Sequence, residues 1–67
     1  MDRFLVEADK KAVGVAIRVR GGFRFFASDP EFQSINAKVF RRARSLASSV
    51  AQLARAQRAR HAAAALH

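Results

Sequence analysis

Hydrophobic and polar positions alternate through the first third of the chain and then change to steps of three and four. Val13, Val15, Ile17 and Val19 alternate with Gly14, Ala16 and Arg18, the period-2 pattern of a strand with two unlike faces. Gly21-Gly22 follows, and a glycine pair between β-rich runs predicts a two-residue hairpin loop, because both residues accept positive φ. Phe23-Arg24-Phe25-Phe26 is the expected return strand. Upstream, Phe4-Leu5-Val6-Glu7-Ala8 also alternates, with Lys10-Lys11 as the expected first turn. These loops set Arg18 opposite Phe25, Ile17 opposite Phe26 and Phe4 opposite Ile17. One face then gathers Phe4, Val6, Ala8, Val13, Val15, Ile17, Val19 and Phe26 as the expected core. The other gathers Arg3, Leu5, Glu7, Gly14, Ala16, Arg18, Arg20, Phe23, Phe25 and Ala27, a mixed face with arginines beside aromatics.

Asp29-Pro30-Glu31 predicts a helix start: Asp is a favoured N-cap, Pro fits the first helical position, and acids suit the positive end of the dipole. From there Phe32, Ile35, Val39, Ala43, Leu46, Val50 and Leu53 form one apolar stripe. Ser34 and Asn36 are poor interior helix residues and mark where this helix would kink or break. After Ala54 the stripe fails, since Gln57 stands where the next anchor would be. The expected fold class is therefore α+β: a three-stranded antiparallel β-meander followed by one long amphipathic C-terminal helix, βββα. Residues 1–54 form the expected single domain, and 55–67 a basic, Ala-rich extension, helical or frayed.

A 67-residue chain is small for a stable core, because a domain near this size buries only about 60% of its unfolded surface. With no cysteine, neither a disulfide nor a thiolate metal site can reinforce it. Self-association is the remaining common remedy, so a homodimer is expected. A helix of about 30 residues would be ~45 Å long, whereas an eight-residue strand spans only ~26 Å. Val50 and Leu53 are thus expected to overhang the sheet. Together with Phe23 and Phe25 they are the expected oligomer interface.

Charge changes the picture most. The formal net charge is +8 and the pI about 11.8. All the acids (Asp2, Glu7, Asp9, Asp29 and Glu31) lie in the first 31 residues, whereas Lys38, Arg41, Arg42, Arg44, Arg55, Arg58 and Arg60 follow with none among them. Their i,i+3 and i,i+4 neighbours on a helix repel each other instead of pairing. An acidic partner relieves that repulsion, and a polyanion adds counterion release. The expected nucleic-acid-binding residues are Lys38, Arg41, Arg42, Arg44, Arg55 and Arg58, joined by Arg18 and Arg20. These last two stand beside aromatics that could stack on bases.

The functional expectation is a small basic non-enzymatic protein that binds nucleic acid, DNA or RNA, through an Arg-rich helix face. The alternative is a small regulator or inhibitor, of bacterial or phage origin, that docks on an acidic protein surface; anti-CRISPR proteins are similar in size and in lacking catalytic residues. The predicted element order also resembles the arm-binding domains of phage integrases and the plant AP2-type domain. That resemblance implies a sheet in the DNA major groove, with Arg3, Arg18 and Arg20 reaching in, whereas the charge distribution points to the helix.

No enzyme, cofactor or metal is expected. His61 and His67 fall in the tail with no carboxylate expected nearby, Asp29 is explained by capping, and no nucleophile–base pair or metal-ligand spacing occurs. No apolar run approaches the ~20 residues of a membrane span. Nor does a secretory apolar segment follow Asp2, so the cytoplasm is the default location. The heavy use of Ala and Arg fits a GC-rich bacterial or phage genome.

Overall fold

Strands β1 (Arg3–Ala8), β2 (Lys11–Val19) and β3 (Gly22–Ala27) form the expected antiparallel meander. A 3-10 segment (Pro30–Ile35), a two-residue strand β4 (Val39–Phe40) and helix α1 (Ala43–Ala65) complete a computed structural model that describes residues 2–65, with side chains to 63. The fold is α+β, a sheet in the order β1-β2-β3-β4 with the long C-terminal helix across one face. Leu66 and His67 lie outside the described residues.

Both turns sit one residue earlier than the sequence pattern places them. Ala8 pairs with Lys11, so the first loop is Asp9-Lys10, with φ of 53° and 66°. Positive φ at both central residues is the type I′ requirement, and Asp is among the residues that tolerate it. Val19 pairs with Gly22, so the second loop is Arg20-Gly21, with positive φ at Gly21 (92°) but not at Arg20. Gly22 is used inside the strand instead. A Cβ there would lie 2.0 Å from the Phe40 carbonyl oxygen, so glycine is what lets β4 approach β3.

The larger correction concerns the faces. Val6 pairs with Gly14 and Glu7 with Ala12, which leaves Val13 as an extra, unpaired residue of a β-bulge in β2. Its carbonyl accepts from the Ser28 N–H at 2.9 Å, so the irregularity is held by the β3 exit. Val13 and Gly14 are both buried, and beyond them the alternation is inverted relative to the expected one. The core face is built from Val6, Val13, Ala16 and Phe25, with Ala8, Phe23 and Ala27 packed at its margin. Val15, Ile17, Val19 and Phe26, expected in the core, are on the open face instead, along with Leu5. Phe4 is on the core side but at the sheet edge, and 41% exposed.

The segment after β3 starts as expected and then departs. Asp29 caps the 3-10 turn, its Oδ1 accepting from the Glu31 N–H at 2.9 Å, with Pro30 in the first turn. The turn ends at Asn36, whose Oδ1 accepts from the Ala27 N–H at 2.9 Å. From there the backbone runs beside β3: Ala37 N–H donates to Phe25 O at 2.7 Å, and Phe25 N–H to Lys38 O at 3.0 Å. Those bonds satisfy an edge that a helix over the same residues would leave unpaired. Phe32, Ile35 and Phe40 are buried, but Val39 is turned to the open face.

Helix α1 therefore starts at Ala43, and its 23 residues span ~34 Å against ~30 Å for the nine-residue β2. The predicted overhang at Val50 and Leu53 does not occur. Leu46, Val50 and Ala54 are buried against the sheet, with Leu53 packed beside them. The stripe also continues through Gln57, 4% exposed, whose Nε2 donates to the Glu31 carbonyl oxygen. Val50 and Phe25, expected at an oligomer interface, are committed to the core of the single chain, and Phe23 and Leu53 to its margin.

Candidate nucleic-acid interface

The antiparallel path sends the two sheet ends to different neighbours. One end holds the Asp9-Lys10 turn, the start of β2, Asp29, Glu31 and the C-terminal part of α1. The other holds the Arg20-Gly21 turn and, across β4, the start of α1.

At the first end three acids, Asp9, Asp29 and Glu31, are matched, and Glu7 has no ion-pair partner among the described residues. Arg58 pairs with Asp9, Lys11 Nζ lies 3.3 Å from Asp29 Oδ2, and His61 Nε2 lies 3.0 Å from Glu31 Oε1. The His61 contact corrects the expectation of a histidine without a carboxylate: helix α1 stays continuous past Ala54 and carries His61 to Glu31. Asp29 holds its carboxyl below the ordinary value of 3.8, chiefly through the Glu31 N–H it accepts, with Lys11 adding to the effect against a partial burial that opposes it.

At the second end the bases are unmatched. Phe23 pairs with both Arg18 and Phe40, and a Cβ on Gly22 would lie 2.8 Å from the Arg41 Cα. Arg18 and Arg20 are thereby brought to the same end as Arg41, Arg42 and Arg44. All five are exposed, and none has an ion-pair partner among the described residues. The Arg42 carbonyl accepts the Leu46 N–H, opening α1, and no acid stands in its first turn. Arg41, Arg42 and Arg44 thus crowd the positive end of a helix dipole, where cations are unfavourable and anions favoured. Asp2 is the one acid of this end, its carbonyl oxygen accepting from the Arg18 N–H at 2.7 Å.

The other sequence-based candidates are distributed. Lys38 lies over the Phe40 ring at 5.6 Å, in the segment beside β3 and not on α1. Arg55 borders the cleft between α1 and β1, and Arg58 is engaged by Asp9. Phe23 and Phe25 do not form an aromatic platform. Phe25 is fully buried, and Phe23 makes an edge-to-face contact with Phe4 (5.6 Å between centroids) while Arg18 lies 5.8 Å above its ring.

The sequence pattern did not single out Arg24, and Arg3 entered only through the resemblance to domains that place a sheet in the groove. On the open face Arg3, Ile17, Arg24 and Val39 form one cross-strand row, beside a second row of Leu5, Val15 and Phe26. The bulge that inverts the faces is what brings these arginines next to exposed apolar side chains.

Among the described residues no group of three or more His, Cys, Asp or Glu side chains is placed to hold a metal ion, and no helix is long and apolar enough to cross a membrane. Comparison with protein-family models, with curated proteins and with solved structures finds no match for this chain.

Proposed function

We propose that this chain binds nucleic acid through the arginine cluster at the β2–β3 turn and the start of α1. The observation that supports this reading is the segregation of charge. At one end of the sheet Asp9 and Asp29 are ion-paired and Glu31 contacts His61, while Arg18, Arg20, Arg41, Arg42 and Arg44 stand exposed at the other with no ion-pair partner among the described residues. A surface that needed only solubility would interleave acids among these bases. Phosphates supply the missing counter-charge, and the free N–H groups of the first turn of α1 add donors for the same oxygens. No set of base-reading side chains is distinguished here, so binding is read as backbone-directed and tolerant of sequence.

Anisotropy titrations against duplex DNA, single-stranded DNA and RNA at two salt concentrations test this. Five phosphate contacts predict a log–log salt slope of about −4.5 on duplex and a shallower one on single strands. The Arg41→Glu, Arg44→Glu double variant abolishes binding. Arg60→Gln, ~24 Å along the helix from Arg44, changes affinity less than about threefold. Absence of binding to all three ligands at low salt overturns the reading. A single protein partner that survives nuclease treatment would replace it with docking on an acidic protein.

A further inference from the structure

We infer that strand β1 is the seam of a homodimer, pairing antiparallel with β1 of a second copy about a two-fold axis at Leu5. The inference starts from which backbone groups are free. The Arg18 N–H donates to the Asp2 carbonyl, and Ala8 pairs with Lys11 across the two-residue turn. By the alternation of an antiparallel ladder, Asp2, Phe4, Val6 and Ala8 direct their N–H and C=O groups at β2. Arg3, Leu5 and Glu7 direct theirs outward, at the open edge of the sheet, where β1 has no neighbouring strand among the described residues.

An exposed edge strand is normally blunted by Pro, Lys or a covering segment. This one instead presents Leu5, 65% exposed, and Phe4, 41% exposed. Behind it lies an open cleft of about 340 Å³ between β1 and α1, with Phe4, Val6, Leu46, Ala47, Val50 and Ala51 in its walls.

The sequence of β1 matches itself in one register. A ladder forms only when outward-directed residues of one copy face outward-directed residues of the other, which rules out a shift by one. Placing Leu5 opposite Leu5 of the second copy sets Arg3 opposite Glu7 of that copy, twice by symmetry. Neither Arg3 nor Glu7 has an ion-pair partner within its own chain among the described residues. A shift by two residues would put Leu5 opposite Arg3 or opposite Glu7; in the first case Glu7 meets no base, and in the second Arg3 meets only Asp9 of the turn, already engaged by Arg58. On the core side the same register sets Phe4 opposite Val6 of the second copy, so each exposed Phe4 borders the other copy's cleft. The free edge, the exposed Leu5 and Phe4, the cleft and the unpaired Arg3 and Glu7 are all answered by one occupant.

Sedimentation velocity over a micromolar concentration series, without nucleic acid, tests the seam. The wild-type chain sediments as a monomer–dimer equilibrium. Arg3→Glu alone and Glu7→Arg alone each raise the dissociation constant by about tenfold, since two opposite-charge pairs become like-charge pairs. The Arg3→Glu, Glu7→Arg double variant restores it to within about threefold, as complementary partners should. Leu5→Pro removes the outward N–H and the exposed side chain but no hydrogen bond to β2, which an edge strand tolerates, and gives a folded monomer by circular dichroism and sedimentation. A chain that stays monomeric at every concentration overturns the inference. So does a dimer whose dissociation constant is unchanged by both single reversals.

Discussion

The two faces of the sheet both carry large apolar side chains, yet they are made from different residues. Around Val6 and Val13 the covered face uses Gly14, Ala16, Phe25 and Ala27, whereas the open face uses Leu5, Val15, Ile17, Val19 and Phe26. Hydropathy alone favours the second set for the interior. Space decides otherwise, because a helix and a phenyl ring must fit over β2. A Cβ on Gly14 would stand 2.5 Å from both Phe25 Cζ and the Phe26 carbonyl oxygen, so the ring occupies the volume that the glycine leaves. Small residues under one large ring give a dense layer. The β-branched residues on the other side support strand conformation without needing full burial.

The strongest way to break this comparison is a matched pair of truncations. Phe25→Ala should cost about 3–5 kcal/mol in denaturant unfolding, the usual range for a buried phenylalanine. Its chain neighbour Phe26, 41% exposed, should cost less than about 1 kcal/mol when cut to Ala. Equal losses would mean that the two faces are buried alike. A subtler pair tests space instead of hydrophobicity. Gly14→Ala adds one methyl against a backbone carbonyl that cannot swing away, and should cost about 1–3 kcal/mol by overpacking. Val15→Thr on the open face keeps the branched shape and should stay within about 1 kcal/mol.

These pairs also show where reading along the chain succeeds. The three strands, the Asp29 cap and the long helix are local signals: alternation, a cap with Pro, and a 3.6-residue stripe. The faces depend on parity, and one extra residue at Val13 inverts everything after it. Nothing local announces that bulge, because it is held by bonds from Ser28 and Asp29 across the sheet. β4 was hidden for a similar reason. Phe32, Ile35 and Val39 keep helical spacing, and only the needs of the β3 edge turn the second half of that run into a strand. Gln57 looked like the end of the apolar stripe, but its amide finds the Glu31 carbonyl and continues it. The surplus of bases was plain in the composition. Its concentration at one end was not, since Arg18 and Arg20 meet the start of α1 only through the antiparallel path, and Asp9 meets Arg58 from 49 residues away.

The smallest expected effect concerns how the covered face is closed at its acid-bearing end, where the 3-10 turn presses Phe32 and Ile35 onto the sheet. Asp29 fixes that turn as a carboxylate, accepting the Glu31 N–H beside Lys11, so its folded value lies below the ordinary 3.8 that it regains on unfolding. A carboxyl lowered by folding contributes its full stabilisation above 3.8 and loses it as the pH falls through the folded value. Acid should therefore loosen the Phe32–Ile35 cover before the β2–β3 hairpin opens, seen by hydrogen exchange as early loss of protection at Glu31 and Phe32. Asp29→Asn keeps an N-cap acceptor but has no such titration. It should shift the unfolding midpoint at neutral pH only slightly and flatten the acid limb. If the acid limb is unchanged in Asp29→Asn, the closure of the covered face does not depend on this carboxylate, and its cover is held by Phe32 and Ile35 packing alone.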